Sequence, residues 1–334
     1  MRTKAIVTAV WCLTASLIIL GQERGGGPPQ PVSTADVEAP AIPGVFASGT
    51  KARVVYQWDA GLGAEGPVSL PDGSAIFTQT SGKKIIKVDN KNVGSVFVDV
   101  QPAQVFGLAY DPKHGVVATY RGTPNGVVAL WPERKVLADS LDGKRFDRPN
   151  DIVADGTGNI YFSDNSGIRG KEGPAPGSAP PGVYRIGADG KVLLAWEGKP
   201  DCPPSCTALQ RPNGVQISPD RKVFYVATGG SARWVYAFEM QPDGRLRNPR
   251  EFADLGEGGA DGMVVDAEGR LYVAAATRLM VFDRTGKALG AVTFPQRIAN
   301  LTFAGPVRKT LFIVGGQVAY KLPVLTEGVK GRQK

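Results

Sequence analysis

The sequence predicts an all-β fold, a six-bladed β-propeller with four strands per blade. Three observations carry that prediction. One short pattern recurs six times, each copy is followed by further β-prone runs separated by Gly, Pro, Asp and Asn, and no stretch holds a helical period for three turns. The clearest copy is R-P-N-D-I-V-A-D-G-T-G-N-I-Y-F-S-D at 148–164: a polar entry, a short strand, a glycine turn and a second strand. Residues 212–227 (P-N-G-V-Q-I-S-P-D-R-K-V-F-Y-V-A) and 260–274 (A-D-G-M-V-V-D-A-E-G-R-L-Y-V-A) repeat it, and weaker copies start at Glu65, Phe106 and Asn300. The six entry positions, 65, 106, 150, 213, 261 and 300, are 41, 44, 63, 48 and 39 residues apart. Such spacing fits four short strands and their turns.

Taken in order, residues 1–21 place Arg2 and Lys4 ahead of an apolar run from Ala5 to Leu20, the layout of a secretory signal peptide, with an uncleaved anchor as the alternative. Residues 22–44 are dense in Gly and Pro without a hydrophobic period and read as a flexible linker. The propeller is assigned to 45–325. Its first unit gives P-V-S-L, A-I-F-T-Q, K-I-I-K-V and S-V-F-V-D-V in succession, and later units give G-V-Y-R-I, K-V-L-L-A-W, W-V-Y-A-F, E-F-A-D-L, L-M-V-F-D and A-V-T-F. The sixth unit stops after a third strand, V-A-Y-K-L. Its fourth is expected from A-R-V-V-Y-Q-W at 52–58, which would close the ring and remove an open sheet edge. Residues 326–334 form a basic C-terminal tail.

With 43 glycines, 26 prolines and 42% hydrophobic residues, the 334-residue chain has the composition of a turn-rich β protein with a large core. The formal charge of +8 comes from scattered bases with no basic stripe, so a solvated surface is expected and nucleic acid is not a partner. Beyond the signal segment the cysteines are Cys202 and Cys206; in an exported protein their spacing suggests a local disulfide, with two free thiols as the alternative.

In a propeller the first strand of each blade lines the central channel, so the residue just ahead of it stands at one mouth. Glu65, Phe106, Asn150, Asn213, Asp261 and Asn300 should therefore form a ring, overhung by the long segments 165–182 and 198–212. Two carboxylates and up to three amide carbonyls without histidine or cysteine make a hard-oxygen set. That set suits Ca²⁺, or another divalent cation, and is a poor match for zinc. The competing reading is that each Asn or Asp only caps its own turn.

The segments E-G-P at 65–67, K-R-F-D-R-P-N-D at 144–151, G-V-Y-R-I at 182–186, R-P-N-G at 211–214, A-D-G-M at 260–263 and N-L-T-F-A-G-P-V-R-K-T-L-F from Asn300 follow one another one per blade. In this they resemble the gluconolactonase, regucalcin and senescence-marker-protein family over about 60–320, and more distantly diisopropyl fluorophosphatase. The resemblance implies a six-bladed propeller with a divalent metal in its channel. It assigns Glu65, Asn213 and Asp261 to the metal, makes Asn150 a further ligand or substrate contact, turns Arg148 toward the substrate, and offers Asp261 as the group that activates water. Phe106, Arg121 and Asn300 would line the substrate. Two segments depart from the family: T-Y-R-G at 119–122 replaces C-E-H-G, and D-N-S-G-I at 164–168 replaces D-P-P-Y-G.

The expected function is an exported, Ca²⁺-dependent lactone hydrolase acting on a small-molecule lactone or ester, in the periplasm or outside the cell, with no membrane partner unless the N-terminal segment is retained. A non-catalytic binding propeller with a structural Ca²⁺ and a phosphotriesterase on the same metal are the alternatives. His114 falls in a D-P-K-H-G turn on the opposite face, and no serine stands in a G-x-S-x-G elbow, so histidine- or serine-based catalysis is not expected.

Overall fold

The computed structural model describes residues 35–165, 175–197, 212–229, 232–332 and 334. Among them every regular element is a strand. Six antiparallel sheets follow one another along the chain, and their first strands are Glu65–Ser69, Gln104–Asp111, Pro149–Ala154, Pro212–Ile217, Ala260–Val265 and Asn300–Ala304. Each of these touches the next in cyclic order, and the sixth touches the first, so they line one central axis. Five blades hold four consecutive strands. In the sixth, Lys51–Gln57 pairs antiparallel with Val318–Pro323, aligning Arg53 with Lys321 and Tyr56 with Ala319.

The strands form because side chains two apart share a face, and in a propeller both faces are buried against neighbouring blades. Tyr161 and Phe162 illustrate this. They are adjacent on one strand, yet Phe162 packs with Ile152, Val117 and Val127 between the second and third blades, and Tyr161 packs with Val215, Phe224 and Tyr236 between the third and fourth. Four further apolar layers complete the ring, for example Val68, Ile85, Leu108 and Tyr120 between the first two blades and Phe77, Ile86, Phe312 and Val314 between the last and the first. Fully burying each such side chain is worth about 1.5–3 kcal/mol. Outer strands are only partly covered, and every residue of Gly94–Asp99 is half-buried or exposed.

Three features differ from the sequence reading. Residues 35–44, expected as the end of a flexible linker, lie on the propeller: Val37–Glu38 pairs with Lys51–Ala52, and Ala39 and Ile42 are buried with Val45 and Phe46 against the last two blades. Ile42 and Phe46 also close a short turn by a backbone bridge, which explains how a Pro-rich stretch becomes ordered. A hairpin ribbon, Ser140–Leu141 with Lys144–Arg145, precedes the third blade; Asp142 and Gly143 adopt the positive φ that a two-residue hairpin turn requires.

Thirdly, the basic tail is not uniformly solvated. It crosses the face opposite the mouth, donating from Gly328 to the Arg308 carbonyl and accepting from Ala267 at Glu327. Arg332 is buried and donates to the carbonyls of Ile217 and Ser218, each at 3.0 Å, and burial pushes its pKa down to about 10. Lys334 is also buried, its ammonium paired with Asp151 and donating to the Ile152 carbonyl at 3.1 Å. Long aliphatic stems cover apolar surface here while backbone carbonyls satisfy the charged ends.

Candidate functional site at the channel mouth

The six first strands converge at their starts, and the sequence answers the crowding with glycine. A Cβ on Gly66 would stand 2.1 Å from the Phe106 carbonyl oxygen, one on Gly107 2.8 Å from that of Asn150, one on Gly214 2.1 Å from that of Asp261, and one on Gly262 1.9 Å from the Asn300 side chain. Gly must therefore follow the mouth residue at these four positions. Five of the six strands also shift register at this point, between Glu65 and Val68, Val105 and Leu108, Pro149 and Ile152, Pro212 and Val215, and Ala260 and Met263, whereas the sixth pairs regularly from Asn300. A bulge frees the mouth residue from the ladder and re-aims its side chain.

A belt of hydroxyls fixes the freed backbone. Thr78 donates toward the carbonyls of Glu65 (3.1 Å) and Phe106 (3.2 Å). Thr119 donates to that of Asn150 at 2.5 Å, and Ser163 to that of Asn213 at 2.7 Å. Each hydroxyl sits on the second strand of one blade and holds the mouth residue of the next. Thr119 and Ser163 also accept, from the amides of Gly107 (2.8 Å) and Asp151 (3.0 Å).

On this frame the side chains of Glu65, Asn300, Asp261 and Asn213 come together. Asn300 is buried; its Oδ1 accepts the Leu301 amide at 2.9 Å, and its side chain bonds the Glu65 carboxylate. Asn213 bonds Asp261 in the same way. Burial, followed by the negative charges of Asp261 and Asp151, holds the Glu65 carboxyl well above the usual carboxylate range. Burial also raises Asp261, against the pull of Arg297, whose Nη2 donates to Asp261 Oδ2 at 2.8 Å. The Asp261 side chain is 11% exposed and that of Arg297 67%, so Arg297 lies on the open side of the pair. Asp151 is the third carboxylate near this group, and it is committed elsewhere: Lys334 pairs with one oxygen, and the other accepts the Val215 amide at 3.0 Å.

Asn150 is half-buried and its carbonyl belongs to the hydroxyl belt. Phe106 lies beneath Arg121, whose guanidinium carbon is 3.6 Å from the ring centroid and whose Nε donates to the Pro149 carbonyl at 2.9 Å. Arg148 is near enough to Arg121 to repel it, and burial with that repulsion lowers the Arg121 pKa to about 10. Asp164 accepts the amides of Asp147 and Arg148, each at 3.0 Å, and so anchors the polar entry of the third blade. His114 lies in the hairpin turn expected for it, its amide bonded to Asp111. Cys202 and Cys206, and most of the two overhanging segments, lie outside the described residues. The part of the first segment that is described packs through Ala179, whose amide donates to the Arg145 carbonyl at 2.9 Å.

Sequence reasoning missed Arg297, the pairing of Lys334 with Asp151, and the hydroxyl belt. The belt did leave a signal, a Ser or Thr near the end of the second strand in A-I-F-T, V-V-A-T and I-Y-F-S. Arg297 left none beyond its place three residues before Asn300. Among the described residues no three His, Cys, Asp or Glu side chains are grouped to hold a metal. The oxygen set at the mouth is instead two carboxylates with amide neighbours. Two buried carboxyls whose pKa values rise through burial and neighbouring negative charge are the surroundings that a cation would relieve.

Residues 63–317 match the SMP-30/Gluconolactonase/LRE-like region family. A gluconolactonase of Zymomonas mobilis is 29% identical over 294 residues, covering 79% of each chain. The gluconolactonase XC5397 of Xanthomonas campestris superposes with a TM-score of 0.72 at 26% identity, over 90% of this chain and 99% of that one. A calcium-binding regucalcin of Agrobacterium tumefaciens shares the fold, with a TM-score of 0.64 at 18% identity over 84% and 95%. With the mouth residues in the register of the six blades and the match spanning most of the propeller, the chain belongs to the SMP-30/gluconolactonase/LRE-like family.

Proposed function

We propose that this protein is a lactone hydrolase that works with a divalent cation at the channel mouth, Ca²⁺ being the first choice. The observation that carries the reading is the pair Glu65 and Asp261, buried together with raised carboxyl pKa values and held by Asn300 and Asn213. The gluconolactonases among its relatives support the substrate class, and the calcium-binding regucalcin of the same fold supports the ion.

Glu65 and Asp261 would hold the cation with the oxygens of Asn213 and Asn150, an oxygen-only set of the kind calcium takes. Bound there, the ion supplies Lewis-acid polarisation of the ester carbonyl. The protein's own residues do the rest. The water oxygen bonds to the carbonyl carbon, its proton passes to Asp261, and the ring C–O bond breaks as the leaving oxygen takes that proton, giving a hydroxy acid. Arg148 orients the bound lactone. Asn213 and Asn300 keep both carboxylates pointed at the axis. We extend the proposal to export, on the basic and apolar layout of residues 1–21, which lie outside the described residues.

The test is hydrolysis of glucono-1,5-lactone and a panel of aliphatic lactones by protein lacking residues 1–34, before and after chelation and with Ca²⁺ restored. Turnover that is lost to chelator, regained with Ca²⁺ and abolished by Glu65→Gln or Asp261→Asn is the expected result. Turnover indifferent to chelation refutes the cation. No turnover on any lactone refutes the hydrolase reading.

A further inference from the structure

Arg121 is placed as a recognition group. It ends the second strand of the second blade, at the mouth, and two contacts fix its plane: the Phe106 ring below and the Pro149 carbonyl at Nε. Its Nη2 is buried and has no hydrogen-bond partner among the described residues. Neither Arg121 nor Arg148 has an ion-pair partner among them; Arg148 repels Arg121, while Asp164, Glu65 and Asp147 attract it without pairing with it. Asp164, the acid beside them, spends its oxygens on backbone amides. A buried guanidinium with an unmet donor, facing a second guanidinium, is costly unless an anion completes it. A planar fork of this kind matches a carboxylate.

Arg121 bonds Pro149 of the third blade and stacks on Phe106 of the second, so it stands at the junction of these blades, within electrostatic reach of Glu65; a ring ester carries no charge, so the anion that would complete it is a separate group. We infer that the preferred substrate is a lactone carrying a second, free carboxylate, which Arg121 and Arg148 bind while the ring ester lies over the axial carboxylates. Arg121 is then a specificity-determining residue. The turnover part of this inference rests on the hydrolase reading; the binding part does not.

The test compares glucaro-1,4-lactone with glucono-1,4-lactone, which share a ring and differ in having a carboxylate or a hydroxymethyl at C6. A charge-assisted contact of about 1.5–3 kcal/mol corresponds to about tenfold or more in kcat/KM in favour of the acid. Arg121→Gln should bring the ratio to within about threefold, with the larger loss on the acid, and Arg121→Lys should restore part of it. In parallel, glucarate and gluconate are titrated as inert ligands and their protection against thermal unfolding is recorded. Glucarate binding that is stronger than gluconate binding and depends on Arg121 supports the inference even if neither lactone turns over, in which case the hydrolase reading fails alone. Equal handling of the two lactones and of the two acids overturns the inference and leaves the hydrolase reading intact. If Arg121→Gln lowers Tm but leaves both ratios unchanged, Arg121 is only a packing residue and the inference is also overturned.

Discussion

Lys334→Met should destabilise the protein far more than any other change in its basic tail. The Lys334 side chain is 1% exposed and that of Asp151 3%, and the ammonium also donates to the Ile152 carbonyl. The other Asp151 oxygen is tied to the Val215 amide, and the Asp151 amide to Ser163, so the carboxylate cannot turn to water when its partner is removed. Breaking a buried pair in this way costs about 3–5 kcal/mol, against about 0–1 kcal/mol for an exposed one. At about 2 °C per kcal/mol for a large domain, the melting temperature should fall by about 6–10 °C. The assay is thermal unfolding of Lys334→Met, Asp151→Asn and the double variant, with Lys330→Met as an exposed control, since its pair with Glu327 is 3.9 Å long and Lys330 is 88% exposed. The double variant should lose less than the sum of the singles, because the buried charge goes with its partner. If Lys334→Met melts within about 1 °C of the parent, Lys334 is not seated against Asp151 and the buried pair is refuted.

Two further outcomes follow from the mouth. Glu65 and Asp261 have folded pKa values raised above their unfolded ones, so the metal-free fold binds more protons than the unfolded chain; this stability is full below the unfolded values and is lost as pH rises through the folded ones. In chelator, Glu65→Gln should therefore gain on the parent in Tm from pH 4 toward neutrality, and Ca²⁺ should reverse the order; a Tm difference independent of pH would refute the shift. Gly214→Ala would set a methyl 2.1 Å from the Asp261 carbonyl and push the fourth and fifth blades apart, costing about 1–3 kcal/mol in chemical denaturation and weakening Ca²⁺ protection, while Gly256→Ala, with open space around it, should cost about 1 kcal/mol or less through its positive φ and leave Ca²⁺ protection unchanged.

The sequence by itself determined the blades and the mouth. K-I-I-K-V and G-V-Y-R-I are strands with the bounds read from the chain, because alternation and turn residues act between neighbours a few positions apart. The mouth residues were legible for the same reason: one local pattern repeated six times puts equivalent residues at equivalent places around an axis. Only the tertiary structure decided what those residues meet. Asp151 pairs with a lysine 183 positions away, Asp261 with Arg297 36 positions away, and Arg121 reaches Pro149 on the next blade, contacts for which no local period exists. The ordered stretch at 35–44 belongs to the same class, since a Gly- and Pro-rich segment reads as a linker until the blades that bury Ile42 are in place. Local chemistry wrote the repeat, and closure of the ring chose the partners of its charges.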